Sequence, residues 1–213
     1  MPEPEKVGIP GGSSVEEFWE IFETVNEHIP EEAEIVFDVT HSFRSLPLIM
    51  SVLLNYLEVV KGTKLVGCYY GAFEVLGRAA DVEKEYPDPA DRRAPIFDLT
   101  PFFQLNDWVK AIRDFKRFGD AGDLNRLAWQ DTKPLAAKEE TRTDELLALR
   151  SLTGALNKFT QMVHSSRCKD IQDFNFESNI LNQLGPATQC SELPQLKPVL
   201  AGLGDVFAAY QDK

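Results

Sequence analysis

Residues 35 to 62 constrain the fold more than any other stretch of the chain. Three apolar residues, Ile35, Val36 and Phe37, lead into the polar segment Asp38-Val39-Thr40-His41-Ser42-Phe43-Arg44, and SLPLIMSVLLNYLEVV follows at once. A short apolar run without polar alternation reads as a buried strand. The long stretch after it is apolar on more than one face, so it reads as a helix buried against a sheet, with Pro47 in the first turn where its missing N–H matters little. Gly62 ends that helix, and KLVGCYY supplies a second strand that leads to a turn at Gly71. Strand, helix, strand in this order implies a parallel crossover and an α/β fold. It also sets residues 38–47 at the carboxyl end of a strand, where open sheets gather their ligands.

The flanking sequence extends this plan. Ser14 followed by Glu17 fits a capping box for an amino-terminal acidic helix, with Phe18, Trp19, Phe22 and Val25 at helical spacing on its apolar face. The polar, proline-bearing segment from Gly77 to Pro95 reads as a surface excursion, and PIFDLT as a third short strand. Thr100 and Pro101 suit the N-cap and first position of a helix whose stripe is Leu105, Trp108, Ile112 and Phe115. From about Asp123 onward the pattern favours helices alone, with polar turns expected near Lys133 and from Gly185 to Pro194.

Charge narrows the partners. With 22 basic and 34 acidic residues the net charge is -12, which disfavours long duplex DNA as a ligand but leaves room for a compact anion held by backbone N–H groups and an arginine. Cys68, Cys168 and Cys190 are odd in number and far apart, and no metal-ligand spacing accompanies them, so no metal or other cofactor is expected and a reduced, cytoplasmic setting is. The opening MPEPEKVGIPGG lacks the features of a signal peptide, and no apolar stretch approaches the ~18 residues of a membrane span.

The turn itself supports two readings. Thr40, Ser42 and Ser45 offer hydroxyls, the start of the helix offers unpaired N–H groups, and His41 and Arg44 can approach an anion or stack on a base. Equally, Asp, Thr and Ser in such a turn can serve only to cap the helix, with Asp38 an internal acceptor and Arg44 its surface partner.

DVTHSFRSLP resembles the D-[VI]-T-H-[GS]-F-R-x-L-P signature of the CRISPR-associated Rossmann-fold (CARF) proteins of type III CRISPR systems. The IPGG turn, the acidic helix with Trp19, the strand ending in YYGAFE and the DLTPFF segment are similar too, so the resemblance covers roughly residues 7 to 120. It implies a sensor that binds a cyclic oligoadenylate in antiviral defence, across a symmetric dimer. Thr40, His41, Ser42 and Arg44 would line the site, Tyr70 and Gly71 would join them from the next strand end, and Asp38 and Pro47 would orient the turn. On this basis the fold is a partial Rossmann-like parallel sheet over residues 1–100, a connecting helix over 101–122, and an all-helical portion over 123–213 similar to an incomplete HEPN module. Sensor domains of this kind begin with strands ahead of the IPGG turn, so a homodimer or a complementing chain is expected beside the strand at Ile35 to Phe37.

Catalysis is assigned to no residue. HEPN ribonucleases use an Arg and a His about four to six residues apart, and none of His28, His41 and His164 follows an arginine at that spacing. Arg150 lies too far before His164, and Arg167 follows it; these two basic residues three apart fit a helix carboxyl end. The alternatives to a plain sensor are a ribonuclease subunit or fragment, a ring nuclease in which His41 assists attack by a ribose hydroxyl on the cyclic ligand, and a non-catalytic interaction protein.

Overall fold

The structure is a computed structural model that describes residues 5–40 and 46–211. The chain forms two compact units, Met1–Pro101 and Phe102–Lys213.

In the first unit, helix α1 (Val15–His28) starts at Ser14, whose hydroxyl accepts the Glu17 amide at 3.2 Å. The returning half of the capping box is displaced by one residue, because the Glu17 carboxylate takes the amide and hydroxyl of Ser13 at 2.8 and 3.0 Å. Ile21 is the fully buried residue of α1, while Trp19 is 61% exposed. The two lie about 200° apart around the helix, so they cannot face the same side. The expected apolar stripe is therefore rotated away from Trp19.

Strand β1 (Glu34–Asp38) precedes helix α2 (Leu46–Lys61) and strand β2 (Lys64–Gly71), and β1 and β2 pair in parallel as the crossover requires. The register shifts by one between Ile35 and Val36, which leaves Val66 as an extra residue in β2. Leu53 and Leu57 of α2 are fully buried, but Leu48, Val52 and Val59 are 71%, 59% and 84% exposed. The helix is thus covered on one face only within this chain, where the sequence pointed to burial on more than one.

Beyond β2 the surface excursion contains a helix that the sequence pattern did not reveal, α3 (Ala79–Glu85), anchored by the buried Val82. Strand β3 (Ile96–Asp98) then pairs with β2 antiparallel, giving the order β1-β2-β3. The parallel pair expected of the fold is present, and the third strand departs from it for a physical reason. The Ala72 amide donates to the Pro95 carbonyl at 2.9 Å, so the excursion leaves and returns at the same end of β2, as an enlarged hairpin does. A parallel strand would have needed the chain to travel back to the other end.

The second unit is helical throughout its described residues. Helix α4 (Thr100–Phe118) leads into it, followed by α5 (Gly122–Ala136), α6 (Asp144–His164), α7 (Cys168–Gln172), a π-helical turn at Glu177–Leu181, α8 (Asn182–Ala187) and α9 (Lys197–Gln211). Its core gathers Leu149, Leu152 and Leu156 of α6 against Trp108 and Ile112 of α4, Leu124 of α5 and Leu200 of α9. Helices run into the start of both expected turns, which follow Ala136 and, over residues 188–193, Ala187. Lys133 belongs to α5, which carries Pro134 and ends at Ala136, so the proline breaks the helix only where it is about to stop. Gly185 likewise lies within α8, and the chain leaves that helix after Ala187.

Candidate functional site at the strand ends

Tyr69 of β2 stands opposite Asp38 of β1 on one side and Asp98 of β3 on the other. Each aspartate opens the same three-residue pattern, Asp38-Val39-Thr40 and Asp98-Leu99-Thr100. The Asp38 carboxylate accepts the Thr40 amide at 2.8 Å and also the Thr40 hydroxyl; the Asp98 carboxylate accepts the Thr100 amide at 2.9 Å. The middle residues donate to β2, Val39 to the Tyr69 carbonyl at 2.9 Å and Leu99 to the Cys68 carbonyl at 2.8 Å. The threonine hydroxyls then accept from β2, Thr40 from the Gly71 amide at 2.8 Å and Thr100 from the Cys68 amide at 2.9 Å.

Both patterns solve one problem. A flanking strand that leaves the sheet abandons the N–H groups of its neighbour, and a buried amide without an acceptor is costly. Threonine replaces the missing carbonyl on each side of β2, and aspartate fixes the threonine by taking its hydroxyl and amide. Thr100 therefore does more than start α4, and Asp98 is the acceptor at that helix start rather than Thr100. The repeat of Asp-x-Thr sixty positions after the first is the sequence signal for the second pattern.

At the carboxyl rim of the parallel pair the structure brings Thr40 and Gly71 together. A Cβ placed on Gly71 would lie 3.1 Å from both Cγ2 and Oγ1 of Thr40, so the glycine admits the threonine. Tyr70, the neighbouring expected residue, donates its hydroxyl to the Glu74 carboxylate. That bond holds the tyrosine above its usual range of ionisation and Glu74 below the usual carboxylate range. Pro47 is the second residue of α2, in its first turn. His41, Ser42 and Arg44 lie outside the described residues.

The local charge is negative on the strands themselves. Hydrogen bonds from Thr100 depress the Asp98 carboxyl below the ordinary carboxylate range, and burial pushes the Cys68 thiol up, with the charges of Asp98 and Asp38 adding to the effect. Cys68 is buried and free, as is Cys190, and Cys168 is exposed and free. Among the described residues no group of His, Cys, Asp and Glu side chains could hold a metal ion, and no helix is long and apolar enough to cross a membrane.

Of the basic residues weighed for catalysis, Arg150 and Arg167 have other engagements. Arg150 stacks on Trp129, its guanidinium carbon 4.4 Å from the ring centre, and its Nε donates to Thr132 at 2.6 Å. His164 ends α6, whereas Arg167 precedes α7, donates to Ser165 at 3.0 Å and sits 3.8 Å from Asp170.

No protein-family model matches the chain. Over 131 residues, 60% of its length, the chain is 32% identical to CRISPR-associated protein MJ1674 of Methanocaldococcus jannaschii. The matched stretch spans 19% of that relative. The chain is therefore similar, over more than half of its own length, to about one fifth of a CRISPR-associated protein.

Proposed function

We propose that the chain is a CRISPR-associated sensor that binds a cyclic oligoadenylate at the carboxyl rim of its parallel strand pair. The observation that carries this reading is the Thr40–Gly71 junction, directly ahead of residues 41–45 and the start of α2. A helix start presents unpaired N–H groups suited to phosphate, and the resemblance of DVTHSFRSLP to the CARF signature implies that His41, Ser42 and Arg44 belong to the same site. Similarity to a CRISPR-associated protein supports the same biological setting. Asp38, engaged by Thr40, orients the turn, and the net charge of -12 favours a compact phosphate ring over a long polyanion. The outer edge of β1 would receive a second copy or a complementing chain.

Calorimetric titration with cyclic oligoadenylates of several ring sizes tests the reading, on the chain itself and on a form lengthened upstream. Arg44→Ala should weaken binding by roughly 1.5–3 kcal/mol through loss of a charge-assisted contact. That corresponds to about tenfold or more in affinity. Equal affinity of the variant would remove Arg44 from the site. No heat from any ring size with either form would end the sensor assignment.

A second reading, a non-catalytic interaction protein, draws on the exposed face of the first two helices. Trp19 meets Phe22 edge to face at 5.7 Å and Phe22 meets Tyr56 at 5.1 Å, so an aromatic chain joins α1 to the exposed residues of α2. Such a contiguous apolar surface is characteristic of contact sites. The two readings differ in one observable, since the interaction protein would show no response to the cyclic ligand.

A further inference from the structure

The helical unit contains a cavity of about 690 Å³ that plays no part in the strand-end site. Its volume falls in the ~300–1,000 Å³ range of small-molecule pockets. Four of the five phenylalanines in its wall form an edge-to-face series. Phe115 meets Phe207 at 6.3 Å, Phe207 meets Phe176 at 5.6 Å, and Phe176 meets Phe159 at 5.5 Å, with interplanar angles of 62°, 78° and 72°. Edge-to-face rings of this kind stabilise one another beyond the area they bury.

The polar groups of the lining are as selective as the apolar ones. Lys116, Arg117 and His164 are exposed members of the lining, and among the described residues no Asp or Glu contributes to it, although the chain as a whole has a net charge of -12. Among the described residues no carboxylate forms an ion pair with any of the three. Helices α4 and α6 end here, at Phe118 and His164. Each helix end carries roughly half a negative charge, so the two together amount to about one. Lys116 and Arg117 supply two full positive charges against it. Their presence therefore exceeds what the helix ends require, and the surplus is positive.

We infer that this cavity binds a small amphiphile whose apolar body packs among the phenylalanines and whose single anionic group meets Lys116 and Arg117. The inference is independent of the cyclic oligoadenylate reading, because the two sites share no residue and the ligand classes differ.

Decanoate and decanol, which share a chain and differ in the charged head, are suitable probes for calorimetric titration of the full chain. Decanoate should bind at one site per chain and more tightly than decanol. Lys116→Gln combined with Arg117→Gln should weaken decanoate about three- to tenfold, a modest loss because exposed cations are screened by water, and leave decanol unchanged. Val163, which lines the cavity and is 47% exposed, can be enlarged from the solvent side. Val163→Trp should lower the affinity for both probes at least tenfold while the helical circular dichroism is retained. Absence of decanoate binding, equal binding of decanol and decanoate, or undiminished binding by folded Val163→Trp would each overturn the inference. Should that variant not fold, the charge-removal pair with its decanol control decides the matter alone.

Discussion

The Thr40 hydroxyl accepts the Gly71 amide at 2.8 Å, and a side chain on Gly71 would reach the same threonine at 3.1 Å. One contact thus explains two residue identities at the rim of the sheet. Gly71→Ala must push Thr40 aside and should lower stability by about 1–2 kcal/mol. If the rim binds a cyclic oligoadenylate as proposed, the displacement should also weaken that binding. Urea unfolding and ligand titration on the same preparation check both effects, and unchanged values would show that the rim yields freely.

Thr40 and Thr100 perform matching tasks at different depths, which makes their substitutions comparable. Thr100→Val leaves the amide of Cys68, a residue only 1% exposed, without its acceptor, and should cost about 1–3 kcal/mol. Thr40→Val abandons the amide of the partly exposed Gly71, which water can reach, and should cost less, about 1 kcal/mol. Serine at either position keeps the hydroxyl and should recover most of the loss. Equilibrium unfolding of the four variants provides the comparison.

Asp131 accepts the indole N–H of Trp108 at 2.8 Å, and burial raises its pKa above the ordinary carboxylate value. A carboxyl with a raised folded pKa binds its proton more tightly in the folded chain, so its charged form works against folding once the pH exceeds both the unfolded and the folded pKa. Asp131→Asn keeps an oxygen for Trp108 and removes the charge. The variant should therefore melt higher than wild type at about pH 8, with the gain shrinking as the pH falls through the raised folded pKa and gone below the unfolded value of about 4. Asp131→Ala, which orphans the indole N–H, should melt lower at both values. Thermal melts across this range test the sign.

Leu48, Val52 and Val59 form one exposed stripe of α2. Changing all three to Gln should alter stability by no more than about 0.5 kcal/mol per site, since none is part of the core. If the stripe is a contact surface, the same change should raise the concentration at which the chain self-associates, as read by sedimentation velocity. A large fall in melting temperature would instead reveal that the stripe is packed in the folded chain.

The sequence by itself determined the elements whose cause is local. The apolar run ending at Asp38, the long apolar helix after Pro47 and the strand through Cys68 could form only one kind of crossover, because strand twist and helix handedness leave one common solution. The helical second unit was legible for the same reason, in the spacing of Trp108, Ile112 and Phe115 and in the absence of strand patterns after Asp123. Tertiary structure decided what depends on residues distant along the chain. Thr40 bonds Gly71 across 31 positions and Thr100 bonds Cys68 across 32, and neither partner advertises itself locally, since threonine at a strand end serves equally well as a simple helix cap. The direction of β3 followed from a hydrogen bond between Ala72 and Pro95, and the uncovered face of α2 from which side of an evenly apolar helix the sheet unit happened to bury. The phenylalanine-walled cavity likewise needed α4, α6, α9 and the segment at Phe176 to converge. Periodicity reveals that a helix has an apolar face; only packing decides which parts of that face meet and what space they leave between them.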